Sequence, residues 1–272
     1  MTALTTALRD PSATLPRRVS PRATVSQTLT LAWRATMKMR RNFEQMFDVT
    51  IQPLLFTAMF AGIFGGAISG SVSDYLPIII PGLVGQTVMT ACVATGVQLR
   101  EDMDKGVFDR FKVLPIARIA PLAGPMVADM LRYLIAGTLT FLTGMVIGYR
   151  PGGGVFGVVA AILFGVFAGW SLAWIFTWFG TIGRTAQGVQ ATSLMIMFPL
   201  TFISNAFVPT ETMPSWLRAF AEVNPVSHVI SALRDLANDG QVTADLGWAV
   251  LGLAVIIAIF APLSVRSFNR KM

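Results

Sequence analysis

Long apolar segments alternate with short polar ones along most of the chain. Six segments hold the roughly 20 consecutive apolar residues that a membrane-spanning helix requires. They lie at about 50–69, 77–98, 119–148, 155–181, 188–207 and 246–265. The pattern therefore predicts an all-α polytopic membrane protein with six transmembrane helices, and residues 48–272 form its transmembrane domain. Kinks or helix ends are expected at the prolines within these spans: Pro53, Pro77, Pro81, Pro121, Pro125 and Pro199.

The segment before the first span, residues 26–47, has apolar positions at helical spacing. Leu29 and Trp33 fall on one side of such a helix and Lys38 on the other. This pattern predicts an amphipathic interfacial helix on the inner leaflet, and the alternative is a cytosolic extension of the first span. Residues 1–25 lack the continuous apolar core of a signal peptide, so we expect a disordered cytoplasmic tail.

A charged strip, Leu99 to Pro115, separates the second and third spans. Phe108, Phe111 and Leu114 recur within it at helical spacing. The strip therefore predicts a short cytoplasmic helix at about 100–116 whose apolar stripe faces a protein partner. A merely solvated loop is the alternative.

The segment between the fifth and sixth spans is too apolar for a free loop. Pro214 and Pro225 each stand at the start of a short amphipathic pattern. We expect an external helical hairpin at about 207–234 that dips into the membrane interface.

Composition and charge agree with this class and orient the chain. Hydrophobic residues make up 54% of the sequence and charged residues 13%, with a mean hydropathy of +0.63. Of the 21 Lys and Arg residues, seventeen fall on the side of both termini, three on the opposite side, and Arg132 lies within a span. Because basic loops stay in the cytoplasm, both termini should be cytoplasmic in the cell membrane. The net charge of +7 thus reflects topology and indicates no nucleic-acid partner.

Catalytic chemistry is nearly absent from the sequence. The chain has one histidine, His228, and one cysteine, Cys92, and no Gly-x-x-x-x-Gly-Lys-Ser/Thr phosphate loop. His228 is interpreted as an interfacial side chain, and a general base is its alternative. We therefore expect neither an enzyme nor a chain that binds a metal or cofactor itself.

Two charges stand close together in the third span. Asp129 and Arg132 are three residues apart, a spacing that lets side chains meet across one helical turn. A structural ion pair is the prediction, and a contact with substrate or a proton is the alternative.

Three stretches resemble the membrane subunit of ABC-2 type ABC exporters, in particular the daunorubicin-resistance-like branch. They are Glu101-Asp-Met-Asp-Lys-Gly-Val-Phe-Asp-Arg-Phe-Lys-Val-Leu-Pro115, Asn205-Ala-Phe-Val-Pro-Thr-Glu-Thr-Met-Pro-Ser-Trp-Leu217, and Asn224-Pro-Val-Ser-His with Leu233-Arg234. The resemblance spans nearly the whole chain.

The resemblance implies a non-catalytic permease that works with separate subunits. Two ATPase subunits would hold ATP and Mg, and a second copy of this permease would help to enclose the export path. The cytoplasmic strip would be the coupling helix, and its ATPase contacts would be Asp102, Lys105, Phe108, Arg110 and Phe111.

The resemblance also implies an amphipathic or lipophilic cargo, such as a drug, an antibiotic or a lipid. Adaptable apolar side chains in the spans are candidates for its path, with core packing as their alternative role. They are Met89, Met195, Met197, Phe198 and Phe202.

Two alternative functions stay open. Trp170, Trp174 and Trp178 form a stripe on the fourth span, which keeps open an exporter of polysaccharide or lipid-linked glycan. An ion-coupled secondary transporter would need titratable groups in the membrane, and Asp129 is the one carboxylate available.

Overall fold

The computed structural model describes residues 20–108, 116–117, 119–207 and 213–271, and the regular structure within them is helical. The helices are α1 Pro21–Arg41, α2 Phe43–Ser69, α3 Val72–Asp104, α4 Ala120–Ile147, α5 Gly154–Ile182, α6 Ala186–Phe202, α7 Ser215–Val223, α8 Pro225–Asn238 and α9 Ala244–Lys271. The prediction of an all-helical protein is confirmed.

Four helices in the described part of the chain are long and apolar enough to cross a membrane. They are α3, α4, α5 and α9. Helix α2 holds a shorter apolar segment, Thr50–Ile63, and α6 has 17 residues, fewer than the roughly 20 that span a bilayer. The multi-pass class follows from these four helices, which are two fewer than the six spans predicted.

Helix α3 is the central helix of the bundle. It packs against α2, α4, α5, α6 and α8, and its apolar residues Ile79, Ile80, Leu83 and Val84 are buried. Helix α9 lies at the periphery, where many of its apolar side chains are exposed. An exposed apolar surface of this extent is typical of contact with lipid.

The predicted interfacial helix lies earlier in the chain than its sequence pattern, and it includes residues 21–25 of the segment expected to be a disordered tail. The pattern extends over 26–47, whereas α1 ends at Arg41 and the extended backbone of Asn42 separates it from α2. On α1, Trp33 is 66% exposed and Leu29 is exposed beside it. The apolar face of α1 is therefore open to its surroundings.

The opposite face of α1 packs on the start of α4. A Cβ atom at Gly124 would lie 2.6 Å from the Cβ of Leu31, so glycine allows this close approach. The backbone N–H of Ala117 donates to Oε1 of Gln27 over 2.9 Å. These contacts attach α1 firmly to the bundle.

Helix α8 provides hydrogen bonds to the part of α3 that contains Pro77 and Pro81. Pro81 has no N–H, so the carbonyl of Pro77, four residues earlier, loses its helical donor. Asn238 Nδ2 donates to that carbonyl over 2.9 Å, and Arg234 Nη2 donates to the carbonyl of Ile78 over 3.2 Å. The side chain of Asn238 thus satisfies the one backbone carbonyl that Pro81 leaves without a helical donor, and Arg234 adds a hydrogen bond to the next carbonyl.

The loop after α4 holds Asn238 in position. The hydroxyl of Tyr149 donates to Asn238 Oδ1 over 2.5 Å. Burial raises the pKa of Tyr149 above its ordinary value, so the phenol stays a hydrogen-bond donor at any physiological pH.

Candidate functional site

A cavity of about 360 Å³, here called the polar chamber, lies between α2, α3, α4 and α6. Its volume falls within the roughly 300–1,000 Å³ of small-molecule sites. Its polar lining comes from Asn42, Gln52, Thr87, Thr90, Gln98, Glu101, Arg132 and Gln190. A few polar groups in an otherwise apolar bundle can orient an amphipathic molecule.

One stripe of α3 forms much of this chamber. Thr87, Thr90, Ala94, Gln98 and Glu101 recur every three or four residues and so share one face of the helix. The residues between them are mostly buried core. The sequence interpretation missed this stripe, although small and polar side chains at helical spacing inside an apolar span were a visible signal.

The charges predicted to pair in the third span do lie together. Arg132 Nη2 is 3.3 Å from Asp129 Oδ1, and both side chains are buried. Thr95 Oγ1 donates to Asp129 Oδ2 over 2.6 Å. The Nε of Arg132 has no hydrogen-bond partner among the described residues.

This ion pair lies in the wall between two cavities. Arg132 lines the polar chamber, whereas Asp129 lines a second cavity of about 230 Å³ between α1, α3 and α4, here called the interfacial cavity. Gln98 lines both. A substitution in this ion pair would therefore affect both cavities.

The five residues predicted for the cargo path fall into two groups. Met89 and Met197 are buried, and Met89 Sδ accepts a hydrogen bond from Thr201 Oγ1 over 3.4 Å. Met195, Phe198 and Phe202 are exposed on α6. None of the five lines the polar chamber in the described structure.

Two of these residues belong to a row of phenylalanine rings that joins α2 to α6. The row runs Phe56, Phe60, Phe207, Phe202, Phe198, with centroid separations of 5.9, 5.0, 5.1 and 5.5 Å. Helices α2 and α6 also contribute to the polar chamber, but none of these rings lines it in the described structure. The sequence interpretation found the α6 rings and missed the α2 rings, since pairing between helices is invisible in one sequence.

The residues predicted to contact an ATPase lie at the end of α3 and just after it. Asp102 Oδ1 is 2.7 Å from Lys38 Nζ of α1, and Lys105 Nζ is 3.2 Å from Glu101 Oε2. Arg110 and Phe111 lie outside the described residues. Of these charges, Asp102 already holds α1 through Lys38.

Phe108 requires a correction, because its ring does not face outward. It is 7% exposed and packs edge-on against Phe268 near the end of α9, with centroids 5.0 Å apart. The burial of an aromatic ring provides more stability than exposure to water, so the ring turns toward its own chain. Phe108 thus links the turn after α3 to α9.

The tryptophan stripe of α5 is used for packing. Trp170 and Trp174 meet edge-on at 6.0 Å, and Trp178 packs against Phe260 of α9 at 5.7 Å. In the described structure the stripe does not line the polar chamber. The feature that kept a glycan cargo open therefore has a structural explanation.

His228 also joins two helices. Its Nδ1 is 2.8 Å from Asp245 Oδ1, which connects α8 to the first turn of α9. Groups of three or more potential metal ligands do not occur among the described residues.

Comparison with known proteins gives consistent matches over most of the chain. Residues 26–237 match the family model described as ABC-2 type transporter. The chain is 41% identical to the daunorubicin resistance ABC transporter permease protein DrrB1 of Streptomyces coeruleorubidus, over 91% of this chain and 87% of that protein. It is 25% identical to the probable doxorubicin resistance ABC transporter permease protein DrrC of Mycobacterium tuberculosis, over 89% and 88% of the two chains. Identity to the probable multidrug ABC transporter permease YbhR of Escherichia coli is 22%, over 73% and 54%.

Proposed function

Because this chain belongs to the ABC-2 type transporter family, we propose that it is the membrane permease of an ATP-driven exporter of amphipathic, drug-like compounds. The family match confirms the resemblance that the three sequence stretches indicated. Members of this family are permeases and do not themselves catalyse ATP hydrolysis. Relatives named for resistance to daunorubicin and doxorubicin support a drug as cargo.

The polar chamber is the observation that carries this proposal. It provides about 360 Å³ inside an apolar bundle, enough for a drug-sized molecule. Its threonines, glutamines and Arg132 offer hydrogen bonds, while Val93, Val97 and Leu194 in its lining offer apolar surface. An amphipathic cargo matches both properties.

The proposed topology has six spans and two cytoplasmic termini. Helices α2 and α6 supply the spans beyond the four of full length, since each is largely apolar and packs on α3. The distribution of Lys and Arg supports this orientation. Helices α7 and α8 then form the external hairpin.

The proposed partners are two copies of a separate ATPase, which hold ATP and Mg, and a second copy of this permease. Asp102 and Lys105 lie at the exposed end of α3, where an ATPase would dock. The link of Asp102 to Lys38 of α1, together with the contact of Phe108 with α9, would pass a movement of this end to other helices. Two permeases would enclose the path between them.

The proposal is tested by blocking the chamber. The permease is reconstituted with its ATPase in inside-out vesicles, and doxorubicin uptake is followed by its fluorescence. Ala94→Trp puts a large ring into the chamber and should abolish ATP-dependent uptake. Ala254→Trp makes the same change on the exposed face of α9 and should leave uptake intact.

Normal uptake by a well-folded Ala94→Trp variant would contradict the chamber as the cargo site. ATP hydrolysis is measured on the same samples. Since the sequence has no phosphate loop, the permease alone should hydrolyse no ATP, and the partner should supply this activity. Turnover by the pure, isolated permease would contradict the assignment to a two-subunit exporter.

A further inference from the structure

The interfacial cavity is built differently from the polar chamber. It lies where α1 crosses the end of α3 and the start of α4, and its volume is about 230 Å³. This volume is below the roughly 300–1,000 Å³ of drug-sized sites, so the cavity suits a smaller occupant or one part of a larger molecule. Its apolar wall comes from Leu31, Ala35, Leu99, Phe108, Pro121 and Pro125.

Cations surround this apolar space. Arg34 and Lys38 of α1 and Lys105 after α3 line it. Lys38 is paired with Asp102, and Lys105 with Glu101. The lining also includes two carboxylates, Asp102 and Asp129, but helix α1 as a whole carries five basic residues and no acidic one, so the α1 side of the cavity is electropositive.

The deep end of the cavity presents no uncompensated charge. Asp129 lies there, and its carboxylate is paired with Arg132 and accepts a hydrogen bond from Thr95. An apolar chain can therefore approach it without meeting a free ion. The cavity thus combines an apolar wall with the basic helix α1.

The geometry points to a lipid site: we propose that the interfacial cavity holds one acyl chain of an anionic phospholipid whose phosphate contacts Arg34 and Lys38. The lipid belongs to the leaflet on which α1 lies, because Leu29 and Trp33 expose the apolar face of the same helix. A basic surface attracts anionic headgroups, and an apolar cavity holds the chain. This site does not depend on which cargo is transported.

The bound lipid would act as a structural link. It would lie against α1, α3 and α4 together, next to the Lys38–Asp102 ion pair. Anionic lipid would thus hold α1 against the end of α3.

The test compares phosphatidylglycerol with phosphatidylcholine of identical acyl chains on the purified full-length permease, using native mass spectrometry. Phosphatidylglycerol should be retained preferentially. Arg34→Gln should weaken its retention about fivefold, the effect of removing one cation near an anionic lipid. Arg40→Gln is the matched control, because Arg40 is an exposed cation of the same helix outside the cavity.

Ala35→Phe tests the cavity itself, since it fills the space and changes no charge. It should also weaken retention of phosphatidylglycerol, and Ala35→Leu serves as a smaller replacement if the phenylalanine disturbs folding. Unchanged binding in a folded cavity-filled variant would overturn the proposal. So would equal losses in Arg34→Gln and Arg40→Gln, equal retention of both lipids, or displacement of phosphatidylglycerol by glycerol phosphate alone.

Discussion

A carboxylate and a guanidinium face each other across one turn inside α4, where either alone would be costly. Asp129 and Arg132 compensate each other, and Thr95 adds a hydrogen bond. Whether the pair is structural or contacts cargo stays a prediction, and the chamber on its Arg132 side makes the question testable.

We expect the pair to be structural. Asp129→Ala or Arg132→Ala alone should reduce folded protein strongly, since breaking a buried pair typically costs about 3–5 kcal/mol. The double change should cost less, and the charge swap should partly restore yield. Size-exclusion chromatography of fluorescently tagged protein measures this. Single variants that accumulate normally but lose export would assign the pair to the cargo path.

Phe108 packs within its own chain, although the sequence predicted that it contacts a partner. Its ring fills a space beside Phe268, so its removal leaves a cavity. The stripe that the sequence assigned to a partner therefore loses one member. The effect should appear in the isolated permease.

We predict that Phe108→Ala lowers the stability of the permease by about 3 kcal/mol. Phe268→Ala should act similarly, and the double variant should lose less than the sum because the two rings share one contact. Thermal unfolding of the purified permease is the measurement, with Phe156→Ala, an exposed ring on α5, as control. If Phe108→Ala unfolds normally but no longer retains the ATPase, the ring is a docking residue after all.

Among the elements, α8 and the proline-containing helix α3 depend on each other. Pro81 leaves the Pro77 carbonyl without a helical donor, and Asn238 supplies the missing donor. The hairpin therefore stabilises the central helix from outside its own backbone.

A double-mutant cycle tests this dependence. Asn238→Ala should cost about 1 kcal/mol, because it leaves a partly buried carbonyl unsatisfied. In a Pro81→Ala background the new N–H can reach the same carbonyl, so the cost should fall. Tyr149→Phe removes only the other hydrogen bond of Asn238, so it should lower stability by the same amount in both backgrounds. Equal costs of Asn238→Ala in both backgrounds would show that α8 does not compensate for the proline.

At the scale of the whole molecule, an unequal charge distribution accompanies the helical bundle. Seventeen basic residues fall on the predicted cytoplasmic side and three on the other. The charges of α1 and of the end of α3 lie together, as the Lys38–Asp102 ion pair requires. Both segments should therefore face the same compartment.

We predict that 100–118 is cytoplasmic, whereas 70–75, 150–153 and 209–243 are external. Single cysteines placed in a Cys92→Ala background report this topology. Native Cys92 is buried, so its replacement leaves the surface unchanged. An impermeant maleimide added to intact cells should label position 150 and spare position 105. The reverse pattern would contradict the proposed orientation.

Local patterns in the sequence were sufficient to predict much of the fold. The length of an apolar run determines whether a helix can cross a membrane, so α3, α4, α5 and α9 were predictable. The spacing of Asp129 and Arg132 likewise implied their contact, because one helical turn brings them together. The three matching stretches indicated the family for the same reason, since they are local patterns.

Only the tertiary structure decided which neighbour covers each helical face. Periodicity put Phe108 on an apolar stripe, but only the fold placed Phe268, far along the chain, against its ring. The polar stripe of α3 became a chamber only when α2, α4 and α6 surrounded it. Lipid tails and protein cores are similarly apolar, so the type of an apolar side chain does not indicate whether it will contact lipid or protein. The partner of each face is set by packing between distant segments, and packing is a property of the folded chain alone.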